Sequence, residues 1–427
     1  MKKLFEGTLF GDLYFERTEA LKIVLEPDRI EELSVGEESG YSLRRIKENL
    51  EIEFSSSTKL EDERINRVVD LSFKSSYFSD LKIKERISFL ETLKRKVKGS
   101  PYLKHYRFFL TEVVKEVQIY TSEDIYRRFL IPYVRLAITV VAERDGRLER
   151  GYEVKAYTLE FEKAKDFIEV QELPERASSL ALTLLSARKA PAGIMPVVLS
   201  GEAGGTMIHE AVGHGFEADH AEEGLSIYSG KLGEKVASPF ITVIDDPTLS
   251  HLFGFYPYDD EGTEAQKVVL IEKGVLKNFL YDKFFALKHG KISNGHGRRE
   301  SFRDLPIPRM SNTYIERGPH KPEEIVKSID SGLLVKKMGG GEVNPLTGDF
   351  VFEIREGYYI YKGEIAYPIK GANLVGNGPK VLEIIDMVGD DLHFEPGFCG
   401  KDGQRVPVSD GQPTLRIPEI TVGGVVE

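Results

Sequence analysis

Residues 348–370 read Gly348-Asp349-Phe350-Val351-Phe352-Glu353-Ile354-Arg355-Glu356-Gly357-Tyr358-Tyr359-Ile360-Tyr361-Lys362-Gly363-Glu364-Ile365-Ala366-Tyr367-Pro368-Ile369-Lys370. Aromatic and β-branched runs are cut by Glu356-Gly357 and by Lys362-Gly363. Such runs fit a pleated, half-buried surface, and glycine supplies the positive φ of a tight turn. The spacing predicts a meander of three short antiparallel strands with a turn at each glycine pair. The same grammar extends across the second half: 32 of the 40 glycines lie in residues 201–427 and 8 in residues 1–200. Pro and Gly cluster at Ala190-Pro191-Ala192-Gly193, which places a boundary there, with one domain over 1–188 and another over 189–427.

The second domain reads as mostly antiparallel strands interrupted by two helices. One runs from about Thr206, with Thr206 as its N-cap; the other starts near Pro379 and carries Val381, Leu382, Ile385 and Met387. The first domain reads as mixed α and β. Ile83, Ile87, Leu90 and Val97 recur near helical spacing, predicting an amphipathic helix over 80–98. Val134, Leu136, Ile138 and Val140 alternate as in a strand. Asp145-Gly146 then reads as a hairpin turn and 150–160 as the returning strand. Pro174 suits an early position of a helix carrying Leu180, Leu184 and Leu185. No motif in 1–190 looks catalytic, so a structural, dimerising or substrate-guiding role is expected there.

The 427 residues hold 58 Lys plus Arg against 69 Asp plus Glu, a net charge of −11. That excess of acid argues against a nucleic-acid partner held by phosphate neutralisation. Cys399 is the only cysteine, so no intramolecular disulfide can form. Apolar stretches such as Ile138 to Ala142 fall far short of the roughly 20 residues of a membrane span. Met1-Lys2-Lys3 could open a signal peptide, but Glu6, Gly7, Gly11 and Asp12 interrupt any apolar core, and a cytoplasmic location is expected.

The strongest chemical signal is Met207-Ile208-His209-Glu210-Ala211-Val212-Gly213-His214-Gly215. Neutral imidazoles bind Zn²⁺, and a neighbouring carboxylate can take a proton from the attacking water. The histidines stand five apart in sequence. On an ideal helix that separates them by about 140°, against about 40° for a spacing of four. Both rings can face one ion only if the helix is distorted, so a π-type bulge or a broken turn is predicted between His209 and His214. Gly213 makes such distortion cheap. A third ligand is needed. Cys399, between Phe398 and Gly400, is the leading candidate, with Asp219, His220 and Glu217 as alternatives. Two histidines and a cysteine leave a fourth position open, the arrangement of a catalytic site. His251, His289 and His296 read as surface or packing residues.

The run from Ala192-Gly193-Ile194-Met195-Pro196 to His214-Gly215 closely resembles the TldD/PmbA family of metalloproteases. Asp259-Asp260-Glu261-Gly262-Thr263, Pro308-Arg309-Met310-Ser311-Asn312-Thr313, Cys399-Gly400-Lys401 with Gly403-Gln404, and Thr421-Val422-Gly423-Gly424 look like further family blocks. The resemblance covers roughly 185–427. It implies an α+β protein: an N-terminal α/β domain, then a C-terminal domain of strongly twisted, barrel-like antiparallel sheet carrying the metal-binding helix. It implies one Zn²⁺ per chain on His209, His214 and Cys399, with Glu210 as general base. It also implies a peptidase acting on short or unfolded peptides, and a dimer formed with itself or with a TldE/PmbA-like subunit. Arg309 is the leading candidate for stabilising the oxyanion, with Tyr256, Tyr258 or a backbone N–H as alternatives. Two other functions compete: a non-catalytic binding or assembly subunit, and a zinc hydrolase of a non-peptide amide.

Overall fold

The computed structural model describes residues 4–59, 65, 76–97, 99–344 and 346–424. The first half is built on one antiparallel sheet. Its strands are β1 (Thr8–Leu25), β2 (Ile30–Lys47), β3 (Ile52–Ser57), β4 (Leu103–Thr121), β5 (Tyr126–Arg144) and β6 (Arg147–Tyr157), in the order β3-β2-β1-β4-β5-β6. One face takes α1 (Asp80–Lys94) and α2 (Ile168–Leu185) against Phe108, Leu110, Leu136 and Ile138. The opposite face carries Tyr14, Val117 and Ile119, which pack on Phe302 of the second half.

The predicted hairpin forms at Asp145 (φ 53°) and Gly146 (φ 76°), with the return strand at 147–157 instead of 150–160. The amphipathic helix is shorter than expected: it is capped by Arg95, and Lys98 lies outside the described residues. Pro174 is not near a helix start. It sits inside α2, which begins six residues earlier at Ile168. Its ring forfeits one hydrogen bond to the preceding turn. The buried stripe of Val170, Leu173, Ala177, Ala181 and Leu184 outweighs that loss. Gly151 of β6 is where α2 comes closest, since a Cβ there would stand 1.9 Å from the Ala177 carbonyl oxygen.

The second half contains a closed five-strand barrel. Its strands are β7 (Gly193–Leu199), β8 (Ser331–Val343), β9 (Asp349–Tyr361), β10 (Ala372–Asn377) and β11 (Leu415–Gly424). They pair in the cycle β8-β7-β11-β10-β9-β8, with β8 and β7 parallel and the rest antiparallel. The meander is modified. Lys362-Gly363 does turn, but Glu356-Gly357 runs through the middle of β9, where Gly357 pairs with Val335 and Ile369. A Cβ at Gly357 would meet Ile354 and Ile369 side chains at 2.9 Å, so this glycine serves close packing and not a turn. The helix near Pro379 spans Gly378–Ile384 and is capped by Asn377; Ile385 and Met387 fall beyond it.

Beside the barrel lies a six-stranded sheet that includes Val243–Asp245, Asn312–Ile315, β12 (His393–Lys401) and β13 (Gln404–Gln412). A buried charge network ties the two halves. Arg44 pairs with Asp12 at 2.6 Å and with Glu261 at 2.7 Å, and Arg299 pairs with Asp12 at 3.0 Å. Among the described residues no helix is long and apolar enough to cross a membrane.

Candidate metal centre

Strand β7 ends in a short 3₁₀ turn, Gly201–Ala203, and the chain enters the helix Thr206–Ala211. The N-cap is Gly205, not Thr206. Gly205 lies against the backbone of β13, where a Cβ would stand 2.5 Å from the Gly411 nitrogen, so glycine is needed at the entry and Thr206 begins the first turn. The helix stops at Ala211. Val212 leaves helical geometry at φ −133°, and Gly213–Phe216 continues as a 3₁₀ turn. The predicted distortion is therefore a broken turn, with no π turn among the described residues.

The break turns both rings to one side: the His209 and His214 centroids are 5.2 Å apart and nearly perpendicular, at 87°. Cys399 arrives from β12, its Sγ 3.6 Å from His214 Nε2. One potential ligand atom from each of His209, His214 and Cys399 falls within 4.8 Å of the others. His209 Nδ1 lies 2.7 Å from Asp410 Oδ1 on β13, and His214 Nδ1 lies 2.8 Å from Glu217 Oε2. A carboxylate on Nδ1 fixes the tautomer and leaves Nε2 for a metal, the usual environment of a ligating imidazole. The donor set of two anchored imidazoles and a thiol fits zinc.

Burial lowers the pKa of both imidazoles, but opposing charges win. Asp410 and Cys399 raise His209 well above the ordinary histidine value. Glu217 and Cys399 raise His214 to about 10. Burial raises the Cys399 thiol, yet the two imidazoliums pull it down to about 5. The shifts favour a thiolate beside protonated imidazoles when no metal is bound. Glu210, one residue past His209, is half-buried, and its side chain makes no hydrogen bond or ion pair with the described residues.

The alternative ligands Glu217, Asp219 and His220 also cluster within 4.8 Å. A lysine ammonium already stands there: Lys401 Nζ is 3.0 Å from Glu217 Oε2 and 2.6 Å from Asp219 Oδ2. Arg309 is fully buried, and its Nη2 donates to the Cys399 carbonyl at 2.6 Å. That bond braces the strand behind the cysteine, while Arg309 Nε and Nη1 are buried without a hydrogen-bond partner among the described residues. Tyr256 is buried with its hydroxyl on the Gly295 carbonyl, and Tyr258 stacks under Arg127. His251 is exposed and forms an isolated antiparallel bridge with Thr158, His289 pairs with Glu223 at 3.0 Å, and His296 is buried on Asp245. The anchor missed in the sequence is Asp410, 201 residues from His209, for which no local spacing gives a signal.

Residues 11–76, 76–185 and 192–424 match, in order, domain 1, the central domain and the C-terminal domain of the PmbA/TldA metallopeptidases. A metalloprotease of Methanocaldococcus jannaschii is 33% identical over 97% of both chains. A zinc metalloprotease TldD homolog of Saccharolobus solfataricus is 30% identical over 98% of both. A metalloprotease TldD homolog of Haemophilus influenzae is 42% identical, over 74% of this chain and 67% of its own length. Among solved structures, TldE from Thermococcus kodakarensis superposes with a TM-score of 0.75 at 19% identity, covering 99% of this chain and 98% of its own. A Thermotoga maritima protein described as a candidate modulator of a DNA gyrase gives 0.80 at 20% identity, covering 97% and 96%. At those identities the two structures speak to the fold alone. By its three matched domains and the two relatives matched over 97% or more of both chains, the chain belongs to the TldD/PmbA family of metallopeptidases.

Proposed function

We propose that this chain is a zinc-dependent peptidase of short or unfolded peptides, with His209, His214 and Cys399 holding one zinc and Glu210 as general base. The observation that carries the reading is the convergence of three donor side chains, two of them imidazoles already held at Nδ1 by Asp410 and Glu217. When bound, zinc supplies Lewis acidity toward water and toward the scissile carbonyl. The protein's own residues do the rest. Asp410 and Glu217 keep each Nε2 pointed inward, and Arg309 fixes the cysteine backbone. Glu210, without a side-chain partner among the described residues, accepts a proton from the attacking water and returns it to the departing amine.

Residues 1–188 are proposed to guide substrate and to support pairing, and 189–427 to carry the chemistry. Supporting this, a cavity of about 360 Å³ opens between the halves, lined by Ile131 and Tyr133 on one side and by Phe253, Tyr258 and Phe398 on the other. Phe398 belongs to β12, the strand that carries Cys399, with its side chain on the face opposite to the thiol. A partner is proposed to be a second copy or a TldE-like subunit, in the cytoplasm. The test is Glu210→Gln, assayed on unfolded peptide with the expected partner present and with zinc content measured. Retained zinc with peptidase activity reduced by at least about 100-fold supports the reading. Unchanged activity would support a binding subunit instead.

A further inference from the structure

Lys401 lies two residues along β12 from Cys399, so both side chains leave the same face of the strand. Its side chain is only 5% exposed. The ammonium has three N–H donors to satisfy. It meets Glu217 Oε2 at 3.0 Å, Asp219 Oδ1 at 2.7 Å and the Pro308 carbonyl at 3.1 Å. Glu217 Oε2 is the same oxygen that His214 Nδ1 meets at 2.8 Å, while Glu217 Oε1 accepts from the Met310 backbone N–H at 3.3 Å. The carboxylate is thus clamped between an imidazole, an ammonium and a backbone N–H.

We propose that Lys401 is a positioning residue of the metal centre: its ammonium is the resident cation of the Glu217–Asp219 pocket, and it holds Glu217 in the orientation that aims His214 at the ligand position. The inference rests on the zinc reading of the site and adds a residue that touches no ligand position. Two buried carboxylates side by side repel unless a cation lies between them. Without the ammonium, Glu217 loses a charged partner, and its grip on His214 Nδ1 loosens. The effect reaches the metal only through Glu217, so the two residues act as one unit.

The test uses the full chain and zinc affinity by competition with a chromophoric chelator. Cobalt(II) absorption spectra are recorded alongside as a report on ligand geometry. Wild type, Glu217→Gln, Lys401→Met and the double variant are compared, with circular dichroism as the check on folding. Lys401→Met is expected to weaken zinc about 10- to 100-fold and to shift the cobalt bands. The double variant is expected to bind no more weakly than Glu217→Gln alone, because the lysine acts through that carboxylate. The double variant also leaves no unpaired charge on Glu217, so it serves if Lys401→Met does not fold. Wild-type affinity with an unchanged cobalt spectrum in Lys401→Met, or a further loss in the double variant, overturns the proposal. A wild type that binds no zinc overturns the metal reading itself and this role with it; one that binds zinc while Lys401→Met is indifferent overturns this role alone.

Discussion

His209 Nδ1 and Asp410 Oδ1 are 2.7 Å apart, although 201 residues separate them in the chain. The contact joins the helix that follows the first barrel strand to β13, which pairs with the strand carrying Cys399. One carboxylate therefore sets the tautomer of an imidazole and also ties the two segments that bring donors together. Glu217 performs the same service for His214 from three residues away.

Asp410→Asn keeps the side-chain shape and removes the charge. It should leave the fold intact and weaken zinc by about 10- to 100-fold. Chelator competition reads the effect, and an unchanged affinity would show that His209 needs no anchor.

Zinc uptake should release protons. Against the effect of burial, Asp410 raises His209, Glu217 raises His214 to about 10, and the two imidazoles lower Cys399 to about 5, which favours protonated imidazoles beside a thiolate before metal binds. Zinc must displace the imidazole protons, so affinity falls as pH is lowered, by roughly tenfold per pH unit for each proton displaced. Calorimetry at neutral pH in buffers of different ionisation enthalpy should count about two protons per zinc. A count of zero would contradict the charge state assigned to the histidines.

Gly213→Ala probes the broken turn. A Cβ there would stand 2.2 Å from Met310 Sδ and 3.1 Å from the Ile208 carbonyl oxygen. Urea unfolding of metal-free protein should show a loss of about 1–3 kcal/mol from overpacking, with weaker zinc binding because His214 follows directly. Full stability with full metal affinity would mean that the turn tolerates a side chain.

Arg44→Met tests the link between the halves. It leaves Asp12 and Glu261 buried with a partner removed. The expected cost is about 3–5 kcal/mol, read as an earlier unfolding midpoint. A change below about 0.5 kcal/mol would place the network outside the stability of the fold.

The parts of this architecture that were legible in the sequence are those written in local spacing. A spacing of five from His209 to His214 cannot fit one face of a regular helix, and the chain does break, at Val212. Glycine density marked the turn-rich second half, and Asp145-Gly146 marked a hairpin of the first. The misreadings have one cause, which is that tertiary packing overrode a local signal. Gly357 looked like a turn because the neighbour that needs its missing Cβ, Ile369, comes from another strand. Pro174 looked like a helix start because the buried stripe that carries the helix past it is visible only against the sheet. Asp410 had no signal of its own and Lys401 stood in a family block without a role, since an anchoring contact is defined by what the fold brings near, not by spacing. Arg309 lies in the neighbourhood its sequence block suggests, with one nitrogen on the Cys399 carbonyl, a contact that no local spacing announces.

The central claim is that His209, His214 and Cys399 form one zinc site. Elemental analysis of wild type and Cys399→Ala, purified in parallel after zinc is supplied, tests it most directly. The account predicts about one zinc per wild-type chain and a large loss in the variant. Absence of zinc in wild type, or full zinc in Cys399→Ala, would contradict it.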